Sequence, residues 1–125
     1  MRELVIKKCM KCGAIVRVIE DCNCDNCGII CCGENMKTLT ANSSDGAVEK
    51  HVPTYEKYGD VIEVLVNHVM EEDHYIEWIS ASYEDKEIVK YYKPGEQVKE
   101  EFDYVPGMVL YAYCNKHLLW KTVVE

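Results

Sequence analysis

Beyond residue 46, apolar positions come in short β-branched or aromatic runs: Val61-Ile62-Glu63-Val64-Leu65-Val66, Tyr75 to Tyr83, Ile88 to Tyr92, Met108 to Tyr113 and Leu118 to Val124. Between Gln97 and Phe102, apolar Val98 and Phe102 alternate with Lys99 and Glu101. Lys93-Pro94-Gly95 and Tyr104-Val105-Pro106-Gly107 read as turns. Strand-length runs broken about every ten residues predict an antiparallel β-sandwich, and nothing sustains an amphipathic helix. The small polar stretch Ala41-Asn42-Ser43-Ser44-Asp45-Gly46 reads as a linker, which gives a domain over 1–40 and another over 41–125.

Composition narrows the function. The 125 residues make one ordinary domain, or one with a small appendage. Fourteen Lys and Arg against 22 Asp and Glu leave a net charge of −8, which argues against nucleic acid as a partner. No apolar run approaches the ~20 residues of a membrane helix. The start, Met1 to Lys8, has too short an apolar stretch for a secretory signal. The expectation is a cytoplasmic protein without a membrane partner, whose eight cysteines are poor candidates for disulfides. Metal is the better use for them.

Seven of those cysteines lie between Cys9 and Cys32, in a segment without histidine. A segment of ~40 residues buries too little apolar surface to fold unaided, and metal is its natural staple. In Cys9-Met10-Lys11-Cys12-Gly13 two thiolates can grip one ion. A tetrahedral site needs two more sulfurs. Cys24-Asp25-Asn26-Cys27-Gly28 would complete a zinc ribbon; the adjacent Cys31-Cys32 is the other candidate. Adjacent cysteines are awkward at one metal, because successive side chains in extended backbone diverge. Spacing leaves both pairs open, and both zinc and iron.

A second constellation comprises His51, His68, His74, Cys114 and His117. Taken singly, each histidine reads as an ordinary surface or core residue. Together they read differently. His68 and His74 flank a five-residue loop that can return two imidazoles to one point, and Cys114-Asn115-Lys116-His117 follows a hydrophobic strand. Five ligands exceed the four at which structural zinc closes. They suit an octahedral metal with its sixth position free for chemistry, which favours iron.

Glu49-Lys50-His51-Val52-Pro53, His68, His74-Tyr75-Ile76-Glu77-Trp78, and Cys114-Asn115-Lys116-His117 with Leu119-Trp120 together resemble superoxide reductase. Cys9-x-x-Cys12-Gly13, Cys31-Cys32-Gly33 and Met36 resemble the desulforedoxin-like domain of its two-iron form, desulfoferrodoxin. The resemblance spans essentially the whole chain. It implies an all-β chain, with a small desulforedoxin-like metal-binding domain preceding an immunoglobulin-like β-sandwich. Cys9, Cys12, Cys31 and Cys32 would hold a first iron. His51, His68, His74 and His117 would surround a second, catalytic iron, with Cys114 as its axial ligand. The implied reaction is one-electron reduction of superoxide to hydrogen peroxide without release of dioxygen. Lys50 would place positive charge over the open position, and Glu49 would assist product release. The resemblance further implies a rubredoxin-like electron donor and a homodimer.

This chain departs from the family pattern in three places. The loop between Cys12 and Cys31 is longer than usual and carries Cys22, Cys24 and Cys27, whose role the sequence leaves open. Val69 stands where proline is common, and Leu118 where glycine is. Two other function classes compete: a non-catalytic iron electron carrier, and a zinc-ribbon-type binding module on a β-sandwich. Visible absorption from iron, as against colourless zinc protein, separates the reductase from the module.

Overall fold

The computed structural model describes residues 3–25, 27–83 and 85–125. The architecture is all-β, in two compact units, Glu3–Thr40 and Ala41–Glu125. Among the described residues no helix is long and apolar enough to cross a membrane.

In the smaller unit, β1 (Val5–Lys8) pairs antiparallel with β2 (Ile15–Val18) on one side and β5 (Lys37–Thr38) on the other. β3 (Ile30–Cys31) and β4 (Glu34–Asn35) form a separate hairpin. The buried apolar side chains here are Leu4, Ile6, Cys9, Met36 and Leu39. Each contributes roughly 1.5–3 kcal/mol at most. Ordering the backbone costs roughly 1–2 kcal/mol per residue. A unit this size therefore leans on a cross-link or a metal. The β3–β4 register pairs Ile30 with Asn35 and Cys31 with Glu34, leaving Cys32-Gly33 as a two-residue turn. Both turn residues have positive φ, +53° and +76°, as a type I′ hairpin requires.

The larger unit opens with one helical turn, α1 (Val48–His51), and continues in seven strands. They are β6 (Thr54–Tyr58), β7 (Val61–Leu65), β8 (Ile76–Tyr83), β9 (Lys86–Tyr91), β10 (Lys99–Asp103), β11 (Val109–Cys114) and β12 (Leu118–Val123). One sheet has the order β10-β7-β6 and the other β12-β11-β8-β9, all neighbours antiparallel. This is an immunoglobulin-like sandwich. Ile62, Val64 and Val66 from one sheet meet Ile79, Ala81, Leu110 and Ala112 from the other in a single core. Along the inner strands β7, β8 and β11, alternate residues enter that core, as the pleat demands.

Ile76 breaks the alternation, since it shares the core with Ile79. The register explains it: Tyr113 pairs with Trp78 but Cys114 with Ile76, so Glu77 is an extra residue. Such a bulge re-aims side chains locally. It leaves Ile76 and Cys114 on the same inner face, where Cys114 is fully buried.

The strands read from the sequence lie where they were expected, within one or two residues. β6 gave no such signal. Its Thr54-Tyr55-Glu56-Lys57-Tyr58 is exposed except for half-buried Tyr55, and as an edge strand it needs no apolar alternation. β1 to β5 are too short for periodicity to register.

Candidate metal centres

Two groups of donor atoms converge, each within 4.8 Å of one another: His51, His68, His74, His117 and Cys114 in the larger unit, and Cys9, Cys12, Cys31 and Cys32 in the smaller.

The four histidines arrive from three segments of the chain. His51 ends α1, where its ring is buried and its Nδ1 donates to the Ala47 carbonyl at 2.7 Å. His68 and His74 sit at the ends of the loop between β7 and β8, and His68 Nδ1 donates to its neighbour's carbonyl, Val69. His117 lies in the turn between β11 and β12, three residues after Cys114. With their Nδ1 hydrogens committed to carbonyls, His51 and His68 present bare lone pairs at Nε2. Yet those two Nε2 atoms face each other at 3.1 Å, and His51 Nε2 is 3.0 Å from His117 Nδ1. Lone pairs turned together repel unless a cation stands among them. His74 Nε2 completes the case, being buried with no hydrogen-bond partner among the described residues. Cys114 Sγ is 3.5 Å from His68 Nε2 and 3.9 Å from His117 Nδ1.

Electrostatics agree. Burial holds the His51 and His68 imidazoles below the usual histidine value, so both stay neutral and available as ligands. Burial likewise pushes the Cys114 thiol up, against the backbone N–H groups of Lys116 and His117 that favour its thiolate. A metal cation reverses that preference by taking the thiolate as a ligand.

The surroundings fix the rings. Trp120, buried, stacks on His51 at a centroid distance of 4.8 Å and donates from Nε1 to the His117 carbonyl at 2.9 Å. Asn115 accepts from Tyr75 N and donates to Asp73 O, both at 3.0 Å, and so brackets His74 on either side. Gly46 lies against the ring edges: a Cβ there would stand 3.1 Å from His51 Cε1 and 3.3 Å from His117 Cγ. Leu118, directly after His117, has φ +63°, a left-handed position in which glycine is the ordinary residue. Glu49 and Lys50 are exposed on α1, beside His51 in sequence. Sequence reasoning missed the parts played by Gly46 and Asn115. Gly46 was legible only as part of a linker, and Asn115 only as a spacer between Cys114 and His117.

In the smaller unit Cys12 Sγ is 3.6 Å from Cys31 Sγ, and Cys31 Sγ is 3.9 Å from Cys32 Sγ. Gly13 N donates to Cys9 O and Cys9 N to Ala14 O, closing a tight knuckle in which Cys12 N points at Cys9 Sγ. Backbone N–H groups of Cys12 and Lys11 pull the Cys9 thiol down to about 6, while hydrogen bonding to Cys9 and then Cys12 pushes Cys31 up to about 12. Cys32 moves up as well, chiefly through Cys12. Cys9 is thus the sulfur readiest to carry charge, while Cys31 and Cys32 favour their protons. Four thiolates together need a cation to neutralise them.

The rival pair lies elsewhere. Cys27 is joined to Cys22 by a disulfide and Cys24 is an exposed free thiol, so neither Cys24 nor Cys27 belongs to the cluster with Cys9 and Cys12. The expectation that these cysteines avoid disulfides is thereby corrected for Cys22 and Cys27. Five positions apart on an exposed loop, they reach each other without disturbing either sheet.

Comparison with known proteins follows the same outline. The Desulfoferrodoxin family profile matches residues 43–123, the stretch that contains all five donors of the larger unit. The desulfoferrodoxin of Nitratidesulfovibrio vulgaris is 42% identical over 120 residues, covering 93% of both chains. A desulfoferrodoxin homolog from Archaeoglobus fulgidus is 40% identical over 121 residues, covering 94% of both. The crystal structure of the superoxide reductase from Treponema pallidum shares the fold, with a TM-score of 0.70 over 97% of this chain and 99% of that one, at 22% identity. Sequence kinship that runs through both donor clusters, carried on a common fold, makes this chain a member of the desulfoferrodoxin family.

Proposed function

We propose that the protein is a superoxide reductase of the two-iron type. In this reading His51, His68, His74, His117 and Cys114 hold the catalytic iron, and Cys9, Cys12, Cys31 and Cys32 hold the other. The observation that carries it is the convergence of four imidazoles, buried at His51 and half-buried at His68, His74 and His117, whose ring nitrogens meet at one point beside a buried thiol. Such a donor set is redundant for structural zinc, which closes at four ligands. Ferrous iron held by these residues would supply the single electron that, with two protons, converts superoxide to hydrogen peroxide without release of dioxygen.

The chain's own residues prepare and protect that step. The carbonyls of Ala47 and Val69 fix the tautomers of His51 and His68, as partners of metal-bound imidazoles generally do. The His117 backbone N–H, 3.4 Å from Cys114 Sγ, tempers the charge on the thiolate and so the electron density it donates. Lys50, exposed and one residue from His51, draws an anion against the net charge of −8 and orders the water that delivers a proton. Screening over about 8 Å at physiological salt lets this local charge dominate. Glu49 helps the product leave. A rubredoxin-like protein returns the electron, and the protein works as a homodimer in the cytoplasm.

Replacing Cys114 tests the reading. Serine exchanges a donating sulfur for a hydroxyl that ligates poorly when neutral. In the iron-loaded Cys114→Ser protein, the thiolate absorption of the oxidised histidine centre should vanish and peroxide formation from superoxide should fall by orders of magnitude. The tetrathiolate colour should persist. Peroxide formation at the parental rate would overturn the proposal.

A further inference from the structure

Cys22, Cys24 and Cys27 take no part in either donor cluster. We propose that they form a thiol–disulfide exchange site whose reaction partner is an external dithiol. Three observations carry this.

First, the Cys22–Cys27 disulfide closes a short ring: its sequence separation is 5, and Cys22 is exposed. A bond that ties together distant parts of a chain stabilises through the length of loop it closes; a bond across five positions gains little that way. Exposed disulfides are the labile and reactive ones.

Second, a free thiol lies within the same ring. Cys24 is exposed, and its carbonyl oxygen is 3.0 Å from Cys27 Sγ, so its residue packs against the disulfide. Cys24 and Cys27 also stand in C-x-x-C spacing, close enough along the chain for Cys24 to take the place of Cys22 as the partner of Cys27.

Third, the base of the loop is anchored while its sulfurs are open. Asp21 Oδ1 accepts from Cys22 N at 2.9 Å and from Lys7 Nζ at 3.2 Å, and Lys7 is itself buried on β1. The ring can change its bonding without loosening the sheet beneath it.

The chemistry balances as follows. A thiolate of the external dithiol attacks Cys22 Sγ, the more open sulfur. The Cys22–Cys27 bond breaks, and Cys27 leaves as thiolate and takes a proton. The partner's second thiol then attacks the mixed disulfide, releasing Cys22 as a thiol and the partner as a disulfide. Two electrons and two protons pass to the loop. Cys24 adds an internal route: its thiolate attacks Cys27 Sγ and expels Cys22, moving the bond to Cys24–Cys27 with no net change in electrons. No metal ligand takes part, so the site stands or falls independently of the superoxide chemistry.

The test uses the full-length, metal-loaded protein, equilibrated in mixtures of reduced and oxidised dithiothreitol, quenched, alkylated and mapped by peptide mass. Cys22 and Cys27 should gain the label together, under conditions that leave the visible absorption unchanged. Oxidised samples should contain both the Cys22–Cys27 and the Cys24–Cys27 pairings. Cys24→Ser should abolish the second pairing, and Cys22→Ser should leave it alone. Three free thiols under fully oxidising conditions would overturn the proposal. So would a disulfide that yields only when the protein unfolds, or protection of all three sulfurs by an additional equivalent of metal.

Discussion

The sulfurs of Cys31 and Cys32 lie 3.9 Å apart, although side chains of neighbouring residues in a strand point to opposite faces. The hairpin resolves the conflict. Cys31 is the last residue of β3, but Cys32 occupies the first position of the turn with φ +53°, which swings its thiol back beside its neighbour. Adjacency, awkward in extended backbone, becomes a chelating grip once a type I′ turn falls between the two side chains.

Cys31→Ser should therefore bleach the thiolate–iron absorption of the smaller unit, because it removes one of four ligands. Cys24→Ser should leave that absorption intact. Metal content and visible spectra of the two proteins decide the matter, and the reverse pattern would move the site to the pair Cys24 and Cys27.

Gly46→Ala puts a methyl group 3.1 Å from His51 Cε1 and 3.3 Å from His117 Cγ, closer than such atoms ordinarily sit. Both rings must shift by tenths of an ångström. Iron retention by the histidine centre should fall by about tenfold, in the range for altered support of a ligand. Asp45→Ala, one residue away and exposed, should retain iron like the parent. Competition with a chelator measures both.

Lys50→Ile separates attraction from ligation. Loss of the local positive charge should slow the second-order reaction with superoxide by about tenfold, or ~1.4 kcal/mol. The iron spectrum should hold, since no ligand is touched. Raising the ionic strength should slow the parent protein by screening the same charge. An unchanged rate for the variant would leave Lys50 a bystander.

Tyr92 sets an alkaline limit on stability. Its half-buried hydroxyl donates to Glu100 Oε2 at 3.2 Å, and burial, with the Glu100 charge behind it, pushes its pKa up to about 12. In the unfolded chain a tyrosine ionises near 10. Between pH 10 and 12 the unfolded chain has released a proton that the folded chain keeps, so stability falls as pH rises through that window. Denaturation curves across it should be flatter for Tyr92→Phe than for the parent. Parallel curves would count against a protected hydroxyl.

The sequence carried the sandwich because its inner strands must present apolar side chains at every second position, and Ile62 and Val64 on β7, Ile79 and Ala81 on β8, and Leu110 and Ala112 on β11 do so. The five donors of the histidine centre were legible for a different reason: histidine and cysteine are scarce in the larger unit, so each occurrence was conspicuous. What stayed hidden was supporting geometry. Nothing in the letters Asn115 shows that its amide spans Asp73 and Tyr75, forty residues upstream. Edge strand β6 hid for the opposite reason, since its exposed polar side chains obey no period. The Cys31-Cys32 pair was judged against extended backbone, and a two-residue hairpin reverses that judgement without leaving a mark in hydrophobicity.

The two donor sets also differ in how much chain each requires. The four sulfurs of the smaller unit are all present once residue 32 has been made, within a unit that closes by Thr40. The histidine centre draws on residues 51 to 117 and waits for the hairpin of β11 and β12. During synthesis from the N-terminus, all four sulfurs are made before the first donor of the histidine centre, and that centre stays incomplete until β11 and its turn into β12 have formed. A ribosome-bound nascent chain that stops short of Cys114 can hold metal through its sulfurs, yet lacks the ligands to assemble the histidine centre.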